Sequence, residues 1–185
     1  PYTTLFRSFF ADLPAGGVRT YTLKYGADSQ PAPARSPLKA KKTGEVVLID
    51  TGVLRADIGP RLIHSLSVKD DGGQWKKLVS EPGELWMTAD GQNEGRYVSS
   101  LDKTATVEIE EQGANRVAVL IKGVHTAPDG RTFGPYVLRV HAYAGKPWLR
   151  VFHTFINSDM PERGLITGIG MRIPFGYGRN STVSY

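Results

Sequence analysis

Residues Tyr136 to Asn157, YVLRVHAYAGKPWLRVFHTFIN, carry the pattern that decides the fold. Apolar and polar residues alternate on both sides of AGKP, where Gly145 and Pro147 favour a turn. Pairing Tyr143 with Trp148 across a four-residue loop puts Leu138, Val140 and Ala142 on one face with Leu149, Val151 and Phe155. The other face then carries Arg139, His141 and Tyr143 opposite Phe152, Arg150 and Trp148. A slip of one residue would mix the two sets, so burial selects this register. The stretch predicts a hairpin with one core face and one face of cations, imidazole and aromatic rings.

Outward from this hairpin, short strand patterns fill the chain from Glu45 onward. EVVLID, VLRADI, LIHSLSV, WKKLV, ELWMTAD, RYVSS, TATVEIEE, RVAVLIKGV and GLITGIGMRIPF are separated by turn clusters such as DDGGQ, DGQNEG and TAPDGRTFGP. QGAN, between two alternating arms, marks a second hairpin. Turn signals recur roughly every 8–12 residues and no window shows a capped helical period, so an all-β, antiparallel sandwich is expected over residues 45–185. Before it, Ala27 to Gly44 holds three prolines and four alanines without a period and reads as a linker. Phe9 to Gly26, FFADLPAGGVRTYTLKYG, reads as a turn and then a strand with Arg19, Tyr21, Leu23 and Tyr25 on its buried face. The first eight residues, PYTTLFRS, match the translated tail of a common short-read sequencing adaptor and are expected to be a processing scar. The chain is therefore expected to be an internal piece of a longer protein.

At 185 residues there is room for one sizeable core. The formal charge of +5 allows an anionic partner. The basic residues are scattered, however, and Lys39, Lys41 and Lys42 fall in the expected linker, so nucleic acid is not expected. No apolar run approaches the ~20 residues of a membrane span, so no membrane partner is expected. The chain has no cysteine, which excludes disulfides, thiolate catalysis and cysteine zinc sites.

No phosphate loop, nucleotide fingerprint, zinc-protease or nucleophile-elbow motif occurs, and GLITGIG lacks the helix a phosphate site would need. Of the four histidines, His125 stands beside a turn and is expected in solvent; His64 and His153 fall among apolar residues and read as hydrogen-bonded core histidines. His141 and His153 lie on opposite faces of the proposed hairpin, which argues against a shared metal. Asp50, Asp57, Asp90, Glu94, Asp102 and Asp159 read as turn residues, Glu108, Glu110 and Glu111 as a solvated strand face, and Trp75, Trp86 and Tyr97 as core or rim. The sharper group is Arg139, His141, Tyr143, Trp148 and Arg150. Two guanidinium groups can grip a carboxylate through paired hydrogen bonds. A neighbouring imidazole or phenol can move a proton, and Trp148 and Tyr143 can stack on sugar rings. That combination suits β-elimination on an acidic sugar. The plainer alternative is an exposed sheet face whose arginines cover aromatic rings, and residue types alone favour it.

LPAGGVRTYTLKYG, VLIDTGVLRADIG, VEIEEQGANRVAVLIKGVH and HAYAGKPWLRVFHTFIN, in that order, resemble the exo-rhamnogalacturonan lyase (YetA-like) family over roughly Phe10 to Phe175. The resemblance implies a three-part protein. Residues 9–26 would be the last strands of a small N-terminal β-barrel, residues 45–185 a central β-sandwich, and a C-terminal α/α domain would follow. It also implies a pectin-type acidic polysaccharide or oligosaccharide as partner, cleaved by elimination, in an extracellular or periplasmic setting. No catalytic residue carries over, and no cofactor is expected, with a divalent cation left open for the whole protein. A non-catalytic carbohydrate-binding or scaffold sandwich is the alternative function.

Overall fold

The computed structural model describes residues 11, 13–22, 36–91, 94–157 and 165–176. Its strands are β1 (Lys39–Thr43), β2 (Val46–Asp50), β3 (Leu54–Gly59), β4 (Leu62–Lys69), β5 (Trp75–Val79), β6 (Glu84–Ala89), β7 (Gly95–Val98), β8 (Thr106–Gln112), β9 (Arg116–Thr126), β10 (Thr132–Tyr143), β11 (Leu149–Phe155) and β12 (Ile166–Arg172). Apart from 3₁₀ turns at Gly91 and at Ser99–Leu101, no helix occurs among the described residues.

The strands form two antiparallel sheets. β1 to β5 make a five-stranded meander, each joined to the next by a short turn. The second sheet has seven strands in the order β11-β10-β9-β7-β6-β12, with β8 also pairing β9. Alternation along each strand sends one set of side chains between the sheets. Val47, Ile49, Leu54, Ala56 and Ile58 from the small sheet meet Val117, Val119, Ile121, Leu138 and Val140 from the large one, all nearly inaccessible to water. A smaller cluster, Met87, Tyr97, Ala127 and Phe133, fills the end of the large sheet. These layers are the expected antiparallel sandwich.

Two expectations need correction. The supposed linker 27–44 contains β1, which pairs with β2 from Lys39↔Asp50 to Thr43↔Val46. KAKKT lacks apolar alternation because β1 is an edge strand, where lysines discourage pairing with another chain. In the expected strand after LPAGG, residues 17–22 form no strand; Val18 and Tyr21 are exposed there, and residues 23–26 lie outside the described residues. The adaptor-like residues 1–8 lie outside them as well.

The organising hairpin has the expected register. His141 pairs with Arg150, Val140 with Val151 and Leu138 with His153. Its turn is clipped to the other sheet by Thr51, a fully buried residue between β2 and β3. The Thr51 hydroxyl donates to the Lys146 carbonyl at 3.0 Å and accepts from the Leu54 amide at 3.0 Å, and Gly145 N–H donates to the Thr51 carbonyl at 2.8 Å. Gly145 sits at φ +68°, a backbone region that glycine enters without a Cβ clash.

Candidate functional site

Because the hairpin keeps its register, Arg139, His141, Tyr143, Trp148, Arg150 and Phe152 share the outer face of the large sheet. The rings form a strip. Tyr143 and Trp148 have centroids 4.8 Å apart, His141 and Phe152 5.0 Å, and His141 and Tyr143 6.4 Å. Trp148 and Phe152 are each 44% exposed, unusually open for such rings. Arg150 lies 6.0 Å over the Phe152 ring.

The expected pair of free guanidinium groups is not there. Arg139 reaches across β9 and closes on Glu110 of β8, with Nε to Oε2 at 2.7 Å and Nη2 to Oε1 at 2.8 Å. Arg139 stands opposite Leu120, which is almost fully buried although it lies on the outer face. Arg116 is likewise paired, with Glu111. Arg150 makes no carboxylate pair among the described residues. The strip therefore offers one guanidinium beside aromatic rings. Glu110 and Glu111 are partners of these arginines rather than a merely solvated face; the β-bulge between Ile109 and Glu111 helps to hide that from a strict alternation count.

The Arg139 hydrogen bond holds the Glu110 carboxyl below the usual carboxylate range. Burial, with Arg116 nearby, lowers the His141 imidazole pKa; Glu111 and Glu110 oppose that shift. Neutral imidazole is therefore the favoured form at neutral pH. His141 Nδ1 is buried with no hydrogen-bond partner among the described residues.

The inner face of the same hairpin holds a group that sequence reading missed. His125, expected in solvent, is fully buried, and its Nδ1 lies 2.6 Å from the Gly134 carbonyl. It packs against Tyr136 (centroids 4.9 Å) and His153 (6.0 Å). Burial lowers the pKa of both imidazoles and raises the Tyr136 phenol well above its ordinary value. The alternation of Val117, Val119 and Ile121 continues to His125 and could have signalled its burial. His64 and His153 lie within the fold as expected, but their Nε2 atoms, like that of His125, have no hydrogen-bond partner among the described residues. No group of three histidine or acidic residues within reach of one metal ion occurs among the described residues.

The acidic residues serve mostly in turns. Asp50 accepts from Gly52 N–H and Asp102 from Thr104 N–H within their own turns, whereas Asp90 accepts from the distant Leu165 N–H and so ties two segments together. Asp57 departs from the expectation: it lies inside β3 and accepts from the Ser65 hydroxyl at 2.8 Å. Asp159 lies outside the described residues.

Two facing antiparallel sheets packed over one apolar core define a β-sandwich. The family whose model matches is the PcRGLX-like protein central beta sandwich domain, over residues 38–180, and the chain belongs to it. That family ties the chain to rhamnogalacturonan lyase-like proteins. No curated protein matches the chain.

Proposed function

We propose that the chain is the β-sandwich part of an exo-rhamnogalacturonan lyase-like (YetA-like) protein, acting outside the cytoplasm on acidic pectin by β-elimination. Family membership over residues 38–180 is the observation that carries this reading. In the reaction, neutralising the uronate carboxylate acidifies the adjacent C–H. A base takes that proton, the bond to the leaving sugar oxygen breaks, and a carbon–carbon double bond remains.

On this reading Trp148, Tyr143 and Phe152 form a shelf for sugar rings, Arg150 grips a carboxylate, and Arg139 positions the face through Glu110. His141, neutral at neutral pH, is a proton acceptor beside them. An α/α domain of the same protein supplies the opposite wall, so the 185-residue chain alone is inactive. The test is to assay the protein carrying this domain on rhamnogalacturonan, with His141→Ala and Arg150→Ala alongside it. Arg150→Ala should raise KM and His141→Ala should lower kcat. Unchanged kinetics in both would remove the face from the reaction.

The alternative is a carbohydrate-binding or scaffold sandwich without a catalytic group. The closure of Arg139 on Glu110 favours it, since that leaves one guanidinium free on this face. Saturable binding of acidic oligosaccharide, without turnover in the whole protein, would decide for it.

A further inference from the structure

The outer face of the five-stranded sheet carries a second group of cations. The register places Lys39, Asp50, Arg55, Ser67 and Lys77 side by side, one from each of β1 to β5. Directly paired residues of antiparallel strands share a face, and the interior is taken by neighbours such as Ile49, Ala56 and Leu66. Lys69 and Trp75 form the next pair along β4 and β5.

Arg55 is held from two sides. Its Nε donates to Asp50 Oδ2 at 2.9 Å, and its Cζ lies 4.1 Å from the Trp75 ring centroid. Asp50 is itself fixed, since its Oδ1 accepts from Gly52 N–H at 2.8 Å. Lys69 Nζ lies 5.2 Å from the same ring. The two Nη groups of Arg55 have no hydrogen-bond partner among the described residues, and its side chain is 56% exposed. A guanidinium with its stem fixed and its fork open is arranged for an incoming carboxylate, because less freedom is lost on binding. An open depression of about 350 Å³ lies beside it, lined by Lys39, Lys69 and Trp75 among others.

We propose that this depression binds the carboxylate of a uronic-acid-containing oligosaccharide, with Arg55 as the anchor. The anion site rests on the geometry of Arg55; the choice of a sugar acid rests on the lyase-like reading above. Two features of the face fit a glycan. Lys39, Arg55 and Lys77 stand on alternate strands, about 10 Å apart at the usual strand spacing, which suits negative charges repeated along a chain. Between them Asp50, Asp57, Ser65 and Ser67 offer acceptors for sugar hydroxyls.

The experiment is calorimetric titration of the 185-residue chain with an oligogalacturonate, a neutral oligosaccharide of equal length, and inorganic phosphate. Saturable, salt-sensitive binding of the oligogalacturonate alone is expected. Arg55→Gln should weaken it by about tenfold or more, the scale of one charge-assisted hydrogen-bonded contact. Arg55→Lys should fall between, and Lys103→Gln, an exposed charge in the loop before β8, should stay within about twofold. Circular dichroism of each variant establishes that it is folded. Absence of saturation, equal weakening by Arg55→Gln and Lys103→Gln, or phosphate binding as tightly as the oligomer would overturn the proposal. Calorimetry reads binding and product formation reads elimination, so this site and the lyase reading can fail separately.

Discussion

Arg139 and Glu110 meet through two hydrogen bonds across the width of β9, on the outer face that the Tyr136–Asn157 hairpin presents. The pair ties β10 to β8 and covers Leu120. Its side chains are 42% and 35% exposed, so solvent screens much of the attraction. Glu110→Gln should therefore lower stability by at most about 1 kcal/mol in urea unfolding. Because the Glu110 pKa is depressed in the fold, the stability it contributes is full above its unfolded pKa and is lost as pH falls through the folded one. The wild type–Glu110→Gln difference should thus shrink in acid.

Thr51 should matter far more than its size suggests. Thr51→Val keeps the shape but leaves the buried Leu54 N–H and the Lys146 carbonyl without their hydroxyl partner. A loss of about 1–3 kcal/mol is expected on unfolding. Thr51→Ser should recover most of it. Amide exchange in Ala144–Trp148 should rise in the Val variant.

The four imidazoles all have pKa values lowered by burial. The unfolded chain then binds more protons than the fold near and below the ordinary histidine value. Stability is therefore full above that value and falls as pH drops through it toward the folded pKa values. Unfolding midpoints should be lower at pH 5 than at pH 7. His153→Phe should flatten the difference, because it removes one buried imidazole whose pKa burial and the neighbouring His125 both lower. An unchanged pH dependence in that variant would show that this cluster does not set it.

Gly168 and Gly170 let the Trp86 ring lie against β12. A Cβ at Gly170 would stand 2.6 Å from the ring, and one at Gly168 2.8 Å from Thr88 Oγ1. Gly170→Ala should cost about 1–3 kcal/mol through this overpacking and shift the tryptophan emission. Gly113→Ala, whose nearest atom would be at 3.5 Å, should cost less.

The hairpin was legible because its register was over-determined: any slip would have put Arg139 and His141 where Leu138 and Val140 are buried. β1 was not, because an edge strand with a lysine-rich outer face lacks the alternation that marks a half-buried one. The TAPDG turn that follows His125 suggested solvent, yet β9 continues past His125 to Thr126 and keeps its inward side chains inward. The pairing of Arg139 with Glu110 joins residues on non-adjacent strands near a bulge, and no local pattern encodes that. The Arg55 row was hidden for a related reason, since its members come from five strands whose register only the folded sheet aligns.

The most direct test of the lyase reading is to incubate the protein carrying this sandwich with rhamnogalacturonan and measure the ultraviolet absorbance of the products. Elimination predicts a rise from the new carbon–carbon double bond, with small products released steadily from a chain end. Cleavage without that absorbance, or no cleavage while the acidic chain binds saturably, would contradict it.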